Sequence, residues 1–399
     1  MRRTMIMLSQ HTRDIVKSTA PVLAEHGTTI TSVFYRNMFE AHPELLNVFN
    51  HANQAQGRQQ AALANTVYAA AVHIDNLENI LPAVVQIAHK HVSLGIKPEH
   101  YPIVGEFLLK AIKEVLGDAA TDEILGAWGE AYGVIADAFI GVEDNMYKEA
   151  REQENGWNFF KLFTVARKVQ ESANITSFYL KPADGSQVPD YKPGQYISVR
   201  VHIPGEKYTM IRQYSLSQAP SADEFRISVK REEQNDPNGV VSVYLHNQVN
   251  EGDTVEVSAP AGEFLLDTSK TTPVAFISGG VGITPMMSMF ETVANVTPDR
   301  PTVFLHSARN EALAAFRHDV EKHAAAMSNA KFKIFYSEGP DGVITAEALK
   351  TYVDVSGDAY VCGPVPFMEA MIRELRALGM KEEQIHYEFF GPALQLSGN

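Results

Sequence analysis

The chain has 399 residues, 45% hydrophobic and 21% charged, a folded composition with room for two or three domains that excludes disordered and fibrous classes. Its 34 Lys and Arg against 48 Asp and Glu give 34 − 48 = −14, a field that repels nucleic acid, and no apolar run reaches the ~18 residues of a membrane span, which argues against an integral membrane protein. The one cysteine, Cys362, leaves no partner for an internal disulfide or a cysteine-rich metal site and points to a reducing, cytoplasmic setting.

At the start, Arg2 and Arg3 precede a short apolar stretch that Ser9, Gln10 and His11 interrupt, so no signal peptide is expected, and residues 1–6 read as a dispensable extension. Residues 1–150 hold only 5 of the 20 prolines and 9 of the 26 glycines. Apolar residues there recur at three and four residue spacing, as in Leu81, Val84 and Ala88 followed by His91, and in Phe107, Leu108, Ala111, Ile112 and Val115. That periodicity predicts about seven amphipathic helices and no strand. The breaks fall at Gly27 after the first helix, His42-Pro43 after the second, Pro82 in a first turn, Gly95 past one end, Pro98 opening the next and Gly117-Asp118 closing it.

Beyond Asn155-Gly156 the period becomes two, in Thr176–Leu180, Tyr196–Val201 and Phe225–Lys230, which predicts a small antiparallel β-barrel over 151–266. From Pro273 apolar runs at 274–278, 302–306, 332–336, 359–362 and 385–389 alternate with helical stretches, the rhythm of a parallel α/β sheet over 267–399. Three domains in series are expected: all-α over 1–150, an antiparallel β-barrel, and α/β.

The run Val274–Ser278 followed by Gly279-Gly280-Val281-Gly282-Ile283-Thr284-Pro285 reads as a buried strand, a glycine turn and a helix opened by proline. Glycines admit a pyrophosphate to backbone N–H groups at a helix N-terminus, although a plain strand-to-helix turn gives the same pattern. Cys362-Gly363-Pro364 ends a later strand, where ligands of open parallel sheets bind and a small thiol leaves room for a flat ring; a packed core cysteine is the alternative. In the barrel, Arg212, Gln213, Tyr214 and Ser215 set a guanidinium suited to phosphate, an aromatic ring suited to stacking and a hydroxyl suited to a ring nitrogen on one strand. An edge strand with a surface arginine is the competing reading. Gly239–Ser242 opens a short helix that could offer donors to a second phosphate, and Tyr387–Pro392 ends a strand in aromatics.

Taken in this order, these motifs resemble the ferredoxin-NADP reductase family. The resemblance implies FAD held by Tyr196, Arg212, Gln213, Tyr214 and Ser215, with Phe390 at the flavin face. It also implies NAD(P)H held at Gly279, Gly280, Val281, Gly282, Ile283 and Thr284, with Cys362 near the nicotinamide.

In the helical part, His91 lies on an apolar stripe, where imidazole needs a partner. A core hydrogen bond would satisfy it; so would haem, whose iron needs only one proximal histidine. Phe34-Tyr35, Pro43, Phe49, Gln59 with Leu63, Lys90-His91, Tyr101 and Glu143 together resemble a bacterial globin, and a globin fused to such a reductase resembles the flavohaemoglobins from about Met7 to Pro392. That family implies haem b with His91 on the iron, Tyr35 and Gln59 as distal hydrogen-bonding groups, Leu63 capping the pocket and Phe49 wedging the haem. Tyr101 and Glu143 would stand behind His91, with Lys90 and Glu388 near haem and flavin. The implied activity is nitric oxide dioxygenation, in which electrons pass from NAD(P)H through FAD to haem and NO and O2 become nitrate. Oxygen binding or sensing, alkylhydroperoxide reduction and a lipid in the haem pocket stand as alternatives. A monomer is expected, and the choice of NADH or NADPH stays open.

Overall fold

The computed structural model describes residues 8–49, 57–233 and 238–390. They form two compact units: the residues up to Ala150 together with His202–Ile211, and Arg151–Val201 with Arg212–Phe390.

The described residues of the first unit up to Ala150 contain six α-helices: α1 Gln10–Ser18, α2 Ala20–Ala41, α3 Arg58–Val72, α4 Leu81–Leu94, α5 His100–Leu116 and α6 Asp122–Glu152, with short 3-10 turns and no strand. Ser9 caps α1, its hydroxyl accepting from the Thr12 N–H, and Pro21 opens α2 where a missing N–H costs nothing. The first break therefore falls at Thr19, and Gly27 lies inside α2 instead of ending a helix. What the absent side chain permits there is close packing, since a Cβ on Gly27 would come within 3.3 Å of the Ala64 methyl on α3. One core gathers Val16, Ile30, Phe34, Met38, Leu108, Ala111 and Trp128; a second, beneath α4, joins Val84, Ile96, Tyr101, Ala136 and Phe139. Leu81, read from the sequence as part of the buried stripe of α4, is exposed at the first residue of the helix, whereas Val84 and Ala88 are buried.

The second unit starts with an antiparallel sheet of β1 Phe160–Gln170, β2 Ile175–Pro182, β3 Tyr196–Val201, β4 Met210–Ser215, β5 Phe225–Lys230 and β6 Thr254–Ser258. Most of β4 falls in this unit, and the strand order is β4-β3-β6-β1-β2-β5. A bridge between Leu216 and Ile227 joins the two edges and closes the barrel, which removes the exposed edges. A short helix, α7 Val240–Asn247, follows β5.

The remaining strands, β7 Val274–Gly279, β8 Thr302–Ala308, β9 Ala330–Tyr336, β10 Asp358–Cys362 and β11 Ile385–Glu388, form a parallel sheet in the order β11-β10-β7-β8-β9. The central strands β7, β8 and β10 are mostly apolar because they are buried on both faces, whereas the edge strands β9 and β11 are partly exposed. Helices α8 Ile283–Val296 and α9 Arg317–Ala325 pack with Phe276, Phe304 and Tyr360 on one face, and α10 Ala346–Tyr352 and α11 Val365–Ala377 pack with Ile277, Leu305 and Val361 on the other. Chain order reverses between β7 and β10, so the crevice for a ligand lies at the carboxyl ends of those two strands. Among the described residues no helix is long and apolar enough to cross a membrane.

Candidate functional site

In the helical unit His91 stands one turn before the end of α4, which Gly95 terminates in the left-handed conformation at φ 78°. Glu143, midway along α6, is 3% exposed, and its Oε1 lies 2.7 Å from His91 Nδ1 and accepts the Tyr101 hydroxyl at 2.6 Å. A buried carboxylate is stable only with such donors, and here it has two. The proton on Nδ1 is thereby committed to Glu143, which leaves the Nε2 lone pair of a partly exposed ring available to a metal. Burial and the neighbouring Glu143 push the Tyr101 hydroxyl far up, so it remains a donor.

Two further tyrosines of α6 support this arrangement. Tyr132 donates to the Tyr101 carbonyl at 2.6 Å and Tyr147 to the Ile96 carbonyl at 2.7 Å, so α6 fixes the segment that follows the histidine. Among the described residues no group of three His, Cys, Asp or Glu could hold a bare metal ion. A single imidazole with a carboxylate behind it fits haem iron, which brings its own four nitrogen ligands.

Tyr35 on α2 is buried, and its ring meets Phe34 at 4.7 Å, Phe39 at 5.8 Å and Phe49 at 5.9 Å between centroids. Burial drives its hydroxyl well above the usual range for tyrosine, and Gln59 is its hydrogen-bond partner. Gln59 and Leu63 lie one turn apart on α3, both half-buried. Lys90 is half-buried on α4 and Glu388 half-buried on β11, each in its own unit.

In the second unit, β4 carries half-buried Arg212 and Tyr214, exposed Gln213 and buried Ser215, and Tyr196 is buried on β3. Arg212 and Tyr214 therefore share one face of the strand, as the alternation requires. Desolvation lowers the Arg212 guanidinium from its ordinary value, and the neighbouring Tyr214 opposes that trend. This set fits a flavin dinucleotide, one pyrophosphate to the arginine and one planar ring to the tyrosine.

At the crevice, Gly279 ends β7, Gly280–Gly282 make a 3-10 turn and α8 begins at Ile283. Pro285 is thus the third helical residue and not the first, still within the turn whose N–H groups have no intrahelical partner. Gly282 packs against the end of β10: a Cβ there would sit 2.3 Å from the Cys362 carbonyl oxygen. Gly280, at φ 54°, has open space where a side chain would be. The turn is thus pressed onto β10 at one glycine and open at another, which suits a phosphate held by backbone donors. Cys362 is fully buried, with its thiol pushed up by burial, so it serves as a compact wall and not a nucleophile. Phe390 is exposed at the end of the described segment.

Cys362, Ser278 and His306 stand in one register row across β10, β7 and β8, each buried. His306 Nδ1 lies 2.9 Å from the Ser278 hydroxyl, and its Nε2 has no hydrogen-bond partner. Burial lowers this imidazole to about 4, so it is neutral in the cell. A serine and a histidine inside strand runs look like tolerated core residues, so the sequence alone does not single out Ser278 and His306. Their only signal was two polar residues at the carboxyl ends of adjacent parallel strands.

The chain matches the Globin family over residues 32–139, the Oxidoreductase FAD-binding domain over 162–265 and the Oxidoreductase NAD-binding domain over 276–373. It is 52% identical to a flavohemoprotein of Halalkalibacterium halodurans over 98% of this chain and 99% of that one. The chain belongs to the flavohaemoprotein family. Flavohemoprotein A of Dictyostelium discoideum is 51% identical, over 96% of this chain and 98% of its own. A crystal structure of flavohemoglobin from Malassezia yamatoensis with bound FAD and heme superposes with a TM-score of 0.86 at 30% identity, covering 96% of this chain and all of that one. The FAD/NAD-binding domain of nitric oxide dioxygenase from Vibrio cholerae matches 58% of this chain and 99% of its own with a TM-score of 0.55 and 40% identity. Haem, FAD and a nicotinamide nucleotide are accordingly the cofactors of this flavohaemoprotein, and its reductase part is an oxidoreductase. A globin fold binds small gases such as O2.

Proposed function

We propose that this flavohaemoprotein is an NAD(P)H-dependent nitric oxide dioxygenase that acts in the cytoplasm. The observation that carries the proposal is Glu143, buried and bonded at once to His91 and Tyr101. When bound, haem supplies the iron at which O2 and NO combine, and FAD converts the two-electron hydride of the nucleotide into single electrons. His91 would hold the iron through Nε2. Glu143, accepting the Nδ1 proton, makes that nitrogen a stronger donor, which favours oxygen activation over simple storage. Tyr101 holds the carboxylate and keeps its own proton.

On the distal side Tyr35, protonated because it is buried, donates to a polar diatomic ligand, and Gln59 orients the hydroxyl. Leu63 and Phe49 are apolar walls that exclude water. In the reductase Arg212, Gln213, Tyr214, Ser215 and Tyr196 would bind FAD, and residues 279–284 with Cys362 would bind the nucleotide. Phe390 would cover the flavin, and Lys90 and Glu388 would adjust the charge around the haem and flavin. Overall, two NO, two O2 and one NADH give two nitrate, one NAD+ and one proton.

The test is aerobic NO consumption by the haem- and FAD-loaded protein with NADH or NADPH, with nitrate quantified. Nitrate matching NO consumed, dependent on nucleotide, supports dioxygenation. Oxygen uptake unaffected by NO, or hydroperoxide reduction faster than NO turnover, would place the chain with an oxygen-binding or peroxide-reducing role instead.

A further inference from the structure

Arg226, on β5 of the barrel, is 6% exposed. Its guanidinium donates to the Ser217 carbonyl and, through Nε at 3.2 Å, to the Ser217 hydroxyl. Two carboxylates approach it from helices of the α/β part: Glu291 on α8 at 3.9 Å and Asp319 on α9 at 3.6 Å. Its charge also rests over the Phe316 ring at 5.0 Å. Burying a guanidinium among groups of a second sheet domain is costly unless each charge is matched, and here two acids and an aromatic face match it.

The same place carries direct hydrogen bonds between the two parts. Glu291 accepts the Ala219 N–H at 3.0 Å, and the Ser288 hydroxyl donates to the Gln218 carbonyl at 2.7 Å. Ser288 and Glu291 lie one turn apart on α8, the helix that the glycine turn starts. Residues 217–219 directly follow the β4 strand that carries Arg212, Tyr214 and Ser215. The segment bearing the flavin residues and the helix bearing the nucleotide turn are therefore bonded to each other with only a few residues between the bonds and the ligands.

Beneath Arg226 a chain of buried hydroxyls stiffens the barrel side. Ser217 meets Ser228 at 2.7 Å, and Ser228 meets Ser177 at 2.7 Å. None of these groups belongs to the flavin or nucleotide sets described above.

We infer that Arg226, Glu291 and Ser288 are positioning residues for hydride transfer: they set the separation between the flavin and nicotinamide rings without touching either. In that step the C–H bond at nicotinamide C4 breaks and an N–H bond forms on the flavin, so the nucleotide loses two electrons and the flavin gains them. A displacement of about 1 Å in such a geometry costs up to 100-fold in rate. The inference rests on the reading of this unit as a flavin and nicotinamide reductase.

The test is anaerobic stopped-flow flavin reduction by NADH and by its C4-deuterated form in the full haem- and FAD-loaded protein, for wild type, Arg226→Gln, Glu291→Gln and Ser288→Ala. Expected is a limiting reduction rate about 10- to 100-fold lower in Arg226→Gln and less so in the other two. FAD content and the NADH dissociation constant should stay within about twofold of wild type, and the deuterium isotope effect should depend more steeply on temperature as the donor-acceptor distance loosens. Should Arg226→Gln fail to fold, Glu291→Gln and Ser288→Ala decide, since the first removes the negative charge facing Arg226 and the second removes the hydrogen bond to the Gln218 carbonyl. Wild-type rates and isotope effects in variants with lowered melting temperature would overturn the inference, as would a slow rate explained wholly by lost FAD or weakened NADH binding. A wild-type protein whose flavin NADH does not reduce would overturn the reductase reading itself, a result visible before any variant is made.

Discussion

Replacing Gly282 by alanine should damage the nucleotide crevice more than replacing Gly280, although both glycines sit in the same turn. A methyl on Gly282 would lie 2.3 Å from the Cys362 carbonyl oxygen, 2.5 Å from its carbon and 2.6 Å from the Gly363 nitrogen, where ordinary contact begins at 3.4 Å. All three are backbone atoms at the end of β10, so no side chain can swing aside, and the turn must retreat by about 1 Å; such overpacking costs about 1 to 3 kcal/mol. Gly280→Ala meets nothing within 4 Å and is strained only by its φ of 54°, which costs about 1 kcal/mol. Thermal melting of the reductase transition should fall by roughly 2 to 4 °C per kcal/mol, and flavin reduction by NADH should show a raised dissociation constant in Gly282→Ala. Equal melting temperatures and NADH affinities for the two variants, or a reversed order, would refute the claim that the turn is pressed against β10.

Other outcomes follow from the same geometry. Tyr35→Phe removes the buried distal donor and should lower NO consumption about 100-fold while leaving flavin reduction unchanged; full activity would contradict the distal role. Glu143→Gln keeps the volume but removes the charge and leaves an amide N–H2 unpaired, at about 1 to 3 kcal/mol. It should also lower the iron-histidine stretching frequency and raise the haem potential, and unaltered values for both would sink the proposed electronic role. His306 is held at about 4, below its unfolded value of 6.5, so its contribution to stability is present above pH 6.5 and is lost as pH falls from 6.5 to 4. The loss is about 3 kcal/mol, and His306→Asn should show a shallower fall in melting temperature than wild type across that window.

Much of the fold was legible because periodicity is set by the geometry of each element. The change from three and four residue spacing to alternation near Gly156, and then to apolar runs from Val274, marks the succession of helices, antiparallel strands and parallel strands. Helix ends were less legible: Gly27 reads as a terminator, yet it serves helix packing, and the real stop comes from Thr19 and Pro21. The pairing of His91 with Glu143, 52 residues apart, is a product of tertiary packing of α4 on α6, and no local pattern announces it. Resemblance supplied that pair, as it supplied Tyr35. Arg226 was missed for the opposite reason, because a charged residue in an alternating strand reads as solvent-facing, whereas every residue of β5 but the last is buried.

The most direct measurement is the absorption spectrum of the purified haem-replete protein under argon, before NADH, after NADH and then with CO. Flavin bleaching followed by a ferrous haem spectrum that shifts on adding CO is the expected result, since electrons must pass from nucleotide to haem for any of the proposed chemistry. A flavin that bleaches while the haem band stays ferric, or a preparation with no haem band at all, would contradict the account.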